Sequence, residues 1–181
     1  YRERGIAVKK DYRKWLLLAV GFLILVLRVM HCNGDIGISE RKMEQELRGW
    51  KKPEYTFLGE TGQSLAVFLQ FSEEKTEYDV CVYEKRPRSI GWFFRYGNSA
   101  SSVSGPCDGL YRMNVENREE YILYGLNTTP VEWIEIQIAP DNQRIISLVD
   151  GRPFAYVMNK AWKVTVCGPG SVILEPAERN L

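Results

Sequence analysis

The sequence predicts a mainly β fold of the α+β class: an N-terminal transmembrane helix, a short second helix, then an antiparallel β sandwich or curled sheet. Three observations predict it. Residues 15–27 form a run of thirteen without a polar side chain, directly after a basic segment. A stretch at 40–50 carries apolar residues at helical spacing. From Glu54 onward the apolar period changes to two, with turn residues between the runs.

The N-terminal element comes first. The chain has 181 residues, 45% of them apolar and 26% charged, which suits one domain plus an appendage and excludes a disordered chain or a multi-span membrane protein. Residues 1–30 hold seven basic and two acidic side chains, a balance of +5, so 31–181 carries −4 of the +1 total. Residues 1–14 read as a cytoplasmic basic segment and 15–32 as the anchor. Those eighteen residues reach roughly 27 Å as a helix, close to a hydrocarbon core. Arg28 lies near one end, where its long stem can snorkel, and Tyr12 and Trp15 mark the other boundary. Lys9, Lys10, Arg13 and Lys14 favour a cytoplasmic N-terminus, which puts the C-terminal domain outside a single-pass span of the cell membrane. The bilayer is then one partner, through 15–32. A cleaved signal peptide, a lipidated Cys32 and a buried core helix are the alternatives. Against them stand the poor cleavage site around Cys32-Asn33-Gly34, the bulky His31 before Cys32, and the charges clustered on one side of the run.

Residues 33–53 form a linker and the short helix. Asn33-Gly34-Asp35-Ile36-Gly37 breaks the anchor helix. Ser39 can cap a second helix over 40–50, with Glu40 in its first turn. Met43, Leu47 and Trp50 share one stripe, and Pro53 ends the element.

Residues 54–181 form the β-rich domain. Leu65, Val67, Leu69 and Phe71 alternate; so do Tyr78, Val80 and Val82, then Trp92, Phe94 and Tyr96. Ile134, Ile136 and Ile138 face one way, and Trp162, Val164 and Val166 repeat the pattern. Further strands are expected near 55–59, 110–115, 120–125, 144–149, 153–158 and 171–174. Pro140-Asp141-Asn142, Asp150-Gly151 and Gly168-Pro169-Gly170 supply turns. Residues 98–105 read as an exposed loop. No βαβ alternation appears, which disfavours a parallel nucleotide-binding sheet.

Three segments carry a resemblance: Gly91-Trp92-Phe93-Phe94-Arg95-Tyr96-Gly97; Tyr121-Ile122-Leu123-Tyr124-Gly125-Leu126 with Trp133-Ile134-Glu135-Ile136; and Ala161-Trp162-Lys163-Val164-Thr165-Val166. With the basic N-terminus and anchor, the order of features resembles small single-span membrane proteins of Firmicutes with an extracytoplasmic β-rich domain. The resemblance implies a location and a fold type, and no catalytic residue.

Chemistry is sparse. A net charge of +1 argues against nucleic-acid binding by bulk electrostatics. The single histidine, His31, leaves the serines of 99–104 without a triad and Cys107 without a base. Cys81, Cys107 and Cys167 are disulfide candidates outside the cell, with free thiols as the alternative, and no closely spaced cysteine pair points to zinc. Glu119/Glu120 and Glu132/Glu135 are carboxylate pairs, but odd spacing places the members of each on opposite strand faces. No metal or cofactor is implied. Asn127-Thr128-Thr129 is a glycosylation sequon, meaningful only in a eukaryotic secretory route. Aromatic residues are the remaining signal: Trp92, Phe93 and Trp133 are candidates for a partner surface. The expected function is a membrane-anchored extracytoplasmic interaction or accessory module without catalytic activity, its partner an envelope or membrane protein. An envelope hydrolase using Asp or Glu carboxylates is the alternative.

Overall fold

The computed structural model describes residues 3–50, 53–75, 77–101, 110–127, 131–148 and 151–181, with side chains from Tyr12 onward except those of 98–101. Helix α1 runs over Glu3–Cys32. It therefore includes the basic segment as well as the apolar run. Its stretch Tyr12–Cys32 is long and apolar enough to cross a membrane, and none of it is buried against the rest of the chain. A buried core helix is thereby excluded for this run. At 21 residues it reaches roughly 32 Å.

Helix α2 covers Glu40–Trp50. The Ser39 hydroxyl accepts a hydrogen bond from the Lys42 amide at 3.3 Å, and the Ser39 carbonyl accepts one from Met43 at 2.9 Å, so Ser39 is the cap that its side chain suggests. Met43 and Leu47 are buried, as the helical stripe predicts, but Trp50 at its end remains 54% exposed.

Among the described residues twelve strands follow, in three four-stranded sheets. The first contains β1 (Tyr55–Thr61), β2 (Leu65–Ser72), β3 (Glu77–Glu84) and β4 (Phe93–Ser101), in chain order. The second contains β5 (Leu110–Asn114), β6 (Glu120–Gly125), β9 (Phe154–Asn159) and β12 (Ala177–Asn180), in the order β12-β5-β6-β9. The third contains β7 (Trp133–Ala139), β8 (Asn142–Ser147), β10 (Lys163–Cys167) and β11 (Ile173–Leu174), in the order β11-β10-β7-β8.

Side-chain alternation stacks these sheets. On the β5–β6–β9 sheet, Met113, Ile122, Tyr124 and Val157 pack towards Leu65, Leu69, Val80 and Val82 of the first sheet. Leu110, Tyr121, Leu123 and Met158 point the other way, to Ile134, Ile136 and Val166 of the third. Every residue of β6 is buried, as expected of a strand covered on both faces. The outer face of the first sheet receives α2, with Met43 and Leu47 on Ala66, Phe68, Tyr83 and Trp92. The order through the body is helix, sheet, sheet, sheet.

Three local features differ from the sequence expectation. The loop predicted over 98–105 begins as strand, because β4 continues to Ser101 on the β3 ladder; 102–105 lie outside the described residues. Strand β12 was not anticipated. It pairs parallel with β5, Ala177 opposite Tyr111 through Asn180 opposite Asn114, and a four-residue polar strand at a chain end carries no alternation to reveal it. Third, Trp92, Phe94 and Tyr96 do not share a face. Val82 pairs with Tyr96 but Tyr83 pairs with Phe94, so Arg95 is an extra residue, a β-bulge. The bulge leaves Tyr96 on the inner core and turns Phe94 to the α2 side, in edge contact with Tyr83 at 5.6 Å.

The doubly covered strand should dominate stability. Ile122→Ala in the full-length chain in detergent is expected to cost about 2–5 kcal/mol by denaturant unfolding. Ile145→Ala, at a side chain 62% exposed, should stay within about 0.5 kcal/mol of the parent.

Candidate functional site

The feature that sets this chain apart is the junction between α1 and the β body. After Cys32 the chain does not trail away as a loose linker. The Asn33 amide donates to the Val29 carbonyl and the Asp35 amide to that of Met30, both at 2.9 Å, which closes the helix end. The chain then docks on the segment before β4. Ile90 donates to the Asp35 carbonyl at 2.9 Å and Gly37 to that of Ile90 at 2.7 Å; Ile38 and Trp92 exchange two bonds at 2.9 and 2.8 Å. Ile36 and Ile38 thus bridge Ile90 and Trp92 as a strap.

Glycine makes the close approach possible. A Cβ at Gly37 would lie 2.4 Å from the Trp92 carbonyl oxygen, and one at Gly91, whose φ is +92°, would lie 2.7 Å from that of Ile38. Both obstacles are backbone, which cannot swing aside.

Between the strap, α2 and the β3–β4 edge lies a cleft of about 620 Å³. His31, from the last turn of α1, and Ile36 and Ser39 form its strap side. Lys42, Glu46 and Trp50 line the α2 side, and Tyr83, Trp92, Phe93 and Phe94 the floor. Trp50 and Phe94 meet edge to face at 6.3 Å across the opening, where Phe94 is 50% exposed. Ile90 beside the strap is 59% exposed. The exposed rings of Trp50 and Phe94 form an apolar patch at the mouth, and Ile90 is exposed on the segment that the strap binds.

Cations frame the floor. The Lys85 ammonium lies 4.4 Å from the Trp92 ring centroid and the Arg86 guanidinium 4.5 Å from that of Phe93. Behind them Glu84, 5% exposed, accepts from Arg86 Nε at 3.2 Å and from Arg118 Nη2 at 2.9 Å. Burial works against its charge, but the two arginines outweigh burial and hold the carboxyl below its ordinary value.

The other buried carboxylates are also tied to backbone. Glu120 accepts from the amides of Gln63, Ser64 and Leu65 at 2.8, 2.7 and 2.9 Å, and from the Ser64 hydroxyl at 2.7 Å. Burial raises its pKa, and these four donors bring it below the ordinary value. Glu60 accepts from the Val157 amide at 2.9 Å; burial leaves its pKa raised. Among the described residues no cluster of three or more His, Cys, Asp or Glu side chains could hold a metal ion.

The sequence candidates scatter. Trp92 is 3% exposed and belongs to the core under α2, so it offers floor rather than surface. Phe93 is half-buried in the cleft, and Trp133 is half-buried on the third sheet, at the far end of the stack. These three side chains do not make one patch. Trp50 and Phe94 make it instead. Their signal was present in the sequence, but only the bulge at Arg95 and the strap show that they converge. Cys81 and Cys167 are free thiols in different sheets, and Cys107 lies outside the described residues. Burial first, then the Asp79 charge, pushes the Cys81 thiol up to about 11, a poor nucleophile. Asn127 of the sequon is 6% exposed, and its side chain donates to the Val131 carbonyl and accepts from the Val131 amide. It serves as a turn brace. Glu120, one member of a candidate carboxylate pair, is the buried clasp just described, while Glu119 faces solvent.

Comparison with protein-family models, with characterised proteins and with solved structures finds no match to this chain.

Two outcomes follow. Gly91→Val should open the strap without unfolding the body: the Ile38 and Trp92 amides lose hydrogen-exchange protection while those of β6 keep theirs. Lowering pH should also destabilise the body. Glu84 and Glu120 have folded pKa values below the ordinary 4.5, so their contribution is complete above that value and is lost as pH falls through the folded ones. Glu60, raised, works in the opposite sense. Glu120→Gln should flatten the acid limb of a melting-temperature profile and cost about 2–4 kcal/mol at neutral pH, since the amide NH2 replaces one acceptor oxygen and leaves at least the Gln63 N–H facing a donor.

Proposed function

We propose that this chain is a membrane-anchored interaction module, with its N-terminus cytoplasmic and its β-rich body outside the cell membrane. Its partner is a membrane or envelope protein that presents an apolar segment to the cleft beside the anchor. One observation carries the proposal: the exposed aromatic cleft is built partly from the last turn of the apolar helix itself, so whatever enters it meets the protein where the helix leaves the body. The order of basic segment, anchor and β-rich body supports the same reading, as it resembles the single-span proteins named above.

The body's chemistry favours binding over hydrolysis. Glycoside hydrolysis needs a desolvated acid facing a second carboxylate across an open site. Here Glu84 is held by two arginines and Glu120 by four donors, and Glu60, which burial raises, is bonded to the Val157 amide. The acidic recess of about 430 Å³ bounded by Glu54, Glu73, Glu74 and Glu77 has its four carboxylates in water.

In intact cells, external protease should remove a C-terminal tag and spare an N-terminal one. A photo-crosslinker at Trp50 or Phe94 should give a discrete membrane-protein adduct, and one at Ile145 on the far sheet should not. Release of the chain by alkaline carbonate without detergent would end this reading.

A further inference from the structure

We infer that the rim of the cleft is a lipid-docking surface, on which the β body rests against the headgroups of anionic phospholipids surrounding its own anchor. The inference goes beyond the proposed protein partner, which enters the cleft itself, by placing lipid on the rim outside it, and it rests on α1 being a membrane span.

Geometry supplies the first argument. Only Asn33 and Gly34 separate Cys32, the end of α1, from Asp35, three chain steps on, whose carbonyl receives the Ile90 amide. Three residues span at most about 11 Å. The strap is hydrogen-bonded along its length, so it cannot let the body drift outward. The end of the anchor, the exposed Ile90 and the cleft therefore stay within one headgroup layer of each other, and His31 of the helix lines the cleft directly. Apolar side chains at an interface sink about 5–10 Å into the headgroup boundary.

Composition supplies the second. Trp50 and Phe94 are exposed at this mouth and Ile90 on the strap-binding segment, and aromatic rings settle at the membrane–water boundary. The loop joining β3 to the strap-binding segment reads Lys85-Arg86-Pro87-Arg88, with all four residues exposed, and Arg95 on the bulge is exposed as well. Glu84 neutralises part of this set through Arg86 and Arg118. Lys85, over the Trp92 ring, and Arg88 on the same loop add positive charge, and Arg95, next to Phe94, adds a further charge that it shares with Glu84. On the α2 side Glu46 is paired with Lys42 at 3.9 Å. A body that carries −4 overall thus turns its cationic loop towards the end of the anchor. Apolar anchors ringed by Lys and Arg match a surface of acyl chains under phosphate groups.

The test uses the full-length chain in lipid nanodiscs of phosphatidylcholine alone or mixed with phosphatidylglycerol, read by hydrogen exchange. Peptides covering 84–96 should exchange roughly tenfold more slowly in the anionic discs, and salt should abolish the difference. Lys85→Gln with Arg88→Asn should remove it; asparagine suits the left-handed backbone at Arg88, where φ is +65°. The β6 amides report that the variant is folded. Equal exchange in both discs would overturn the inference. So would protection seen only in native membrane vesicles, which points to a protein on the same surface. A chain that fails to enter the discs at all refutes the span, a separate result.

Discussion

The β5–β6–β9 sheet has no polar face, and the body is arranged around that fact. Tyr124 and Ile122 on one side and Leu123 and Tyr121 on the other are all nearly or fully buried. Such a sheet is unstable in water unless something covers each face, since each large apolar side chain left exposed forgoes about 1.5–3 kcal/mol. The first and third sheets are the covers. They in turn have one dry and one outward face. The third sheet leaves its outward face to solvent, with Glu135 and Gln137 among its residues, whereas the first sheet carries Phe68, Tyr83 and Trp92 outward and so requires α2. The position of the helix follows from the composition of the outer face of the sheet it covers.

Polar groups within this stack secure connections that apolar packing alone leaves free. Glu120 at the start of β6 gathers three amides of the β1–β2 turn, which locks the register of the first sheet against the second. Glu84 at the end of β3 gathers Arg118 from the β5–β6 turn and Arg86 from its own loop. Both buried carboxylates tie the same two sheets. A lone buried charge would be costly; with several donors to each, the charge is accommodated and the geometry becomes specific. The same pairing of Glu84 fixes the loop that carries Lys85, Arg86 and Arg88, so a structural ion pair also orients the cationic rim of the cleft.

Much of this architecture is legible along the chain. The breaks at 33–37, the cap at Ser39, the stripe of Met43 and Leu47 and the two-residue period of runs such as 65–71 and 78–82 all reflect local rules, in which a side chain's neighbours in sequence decide its conformation. Legibility stops at three places. Strand β12 is short, polar and paired with a strand more than sixty residues earlier. The bulge at Arg95 is a register shift, which exists only between two strands. The cleft depends on both the bulge and a strap whose glycines are indistinguishable, in sequence, from ordinary helix breakers.

By itself the sequence determined the elements: an apolar run fit to cross a bilayer, a capped amphipathic helix, and alternating strands with their turns. Each rests on periodicity or local backbone preference, and both act within a few residues. Tertiary structure alone decided the order of the layers, the burial of Trp92, and the meeting of Trp50 and Phe94 in the cleft that His31 lines. Those outcomes depend on which faces find each other across the fold, and side-chain chemistry at one position carries no record of a neighbour brought in from forty residues away.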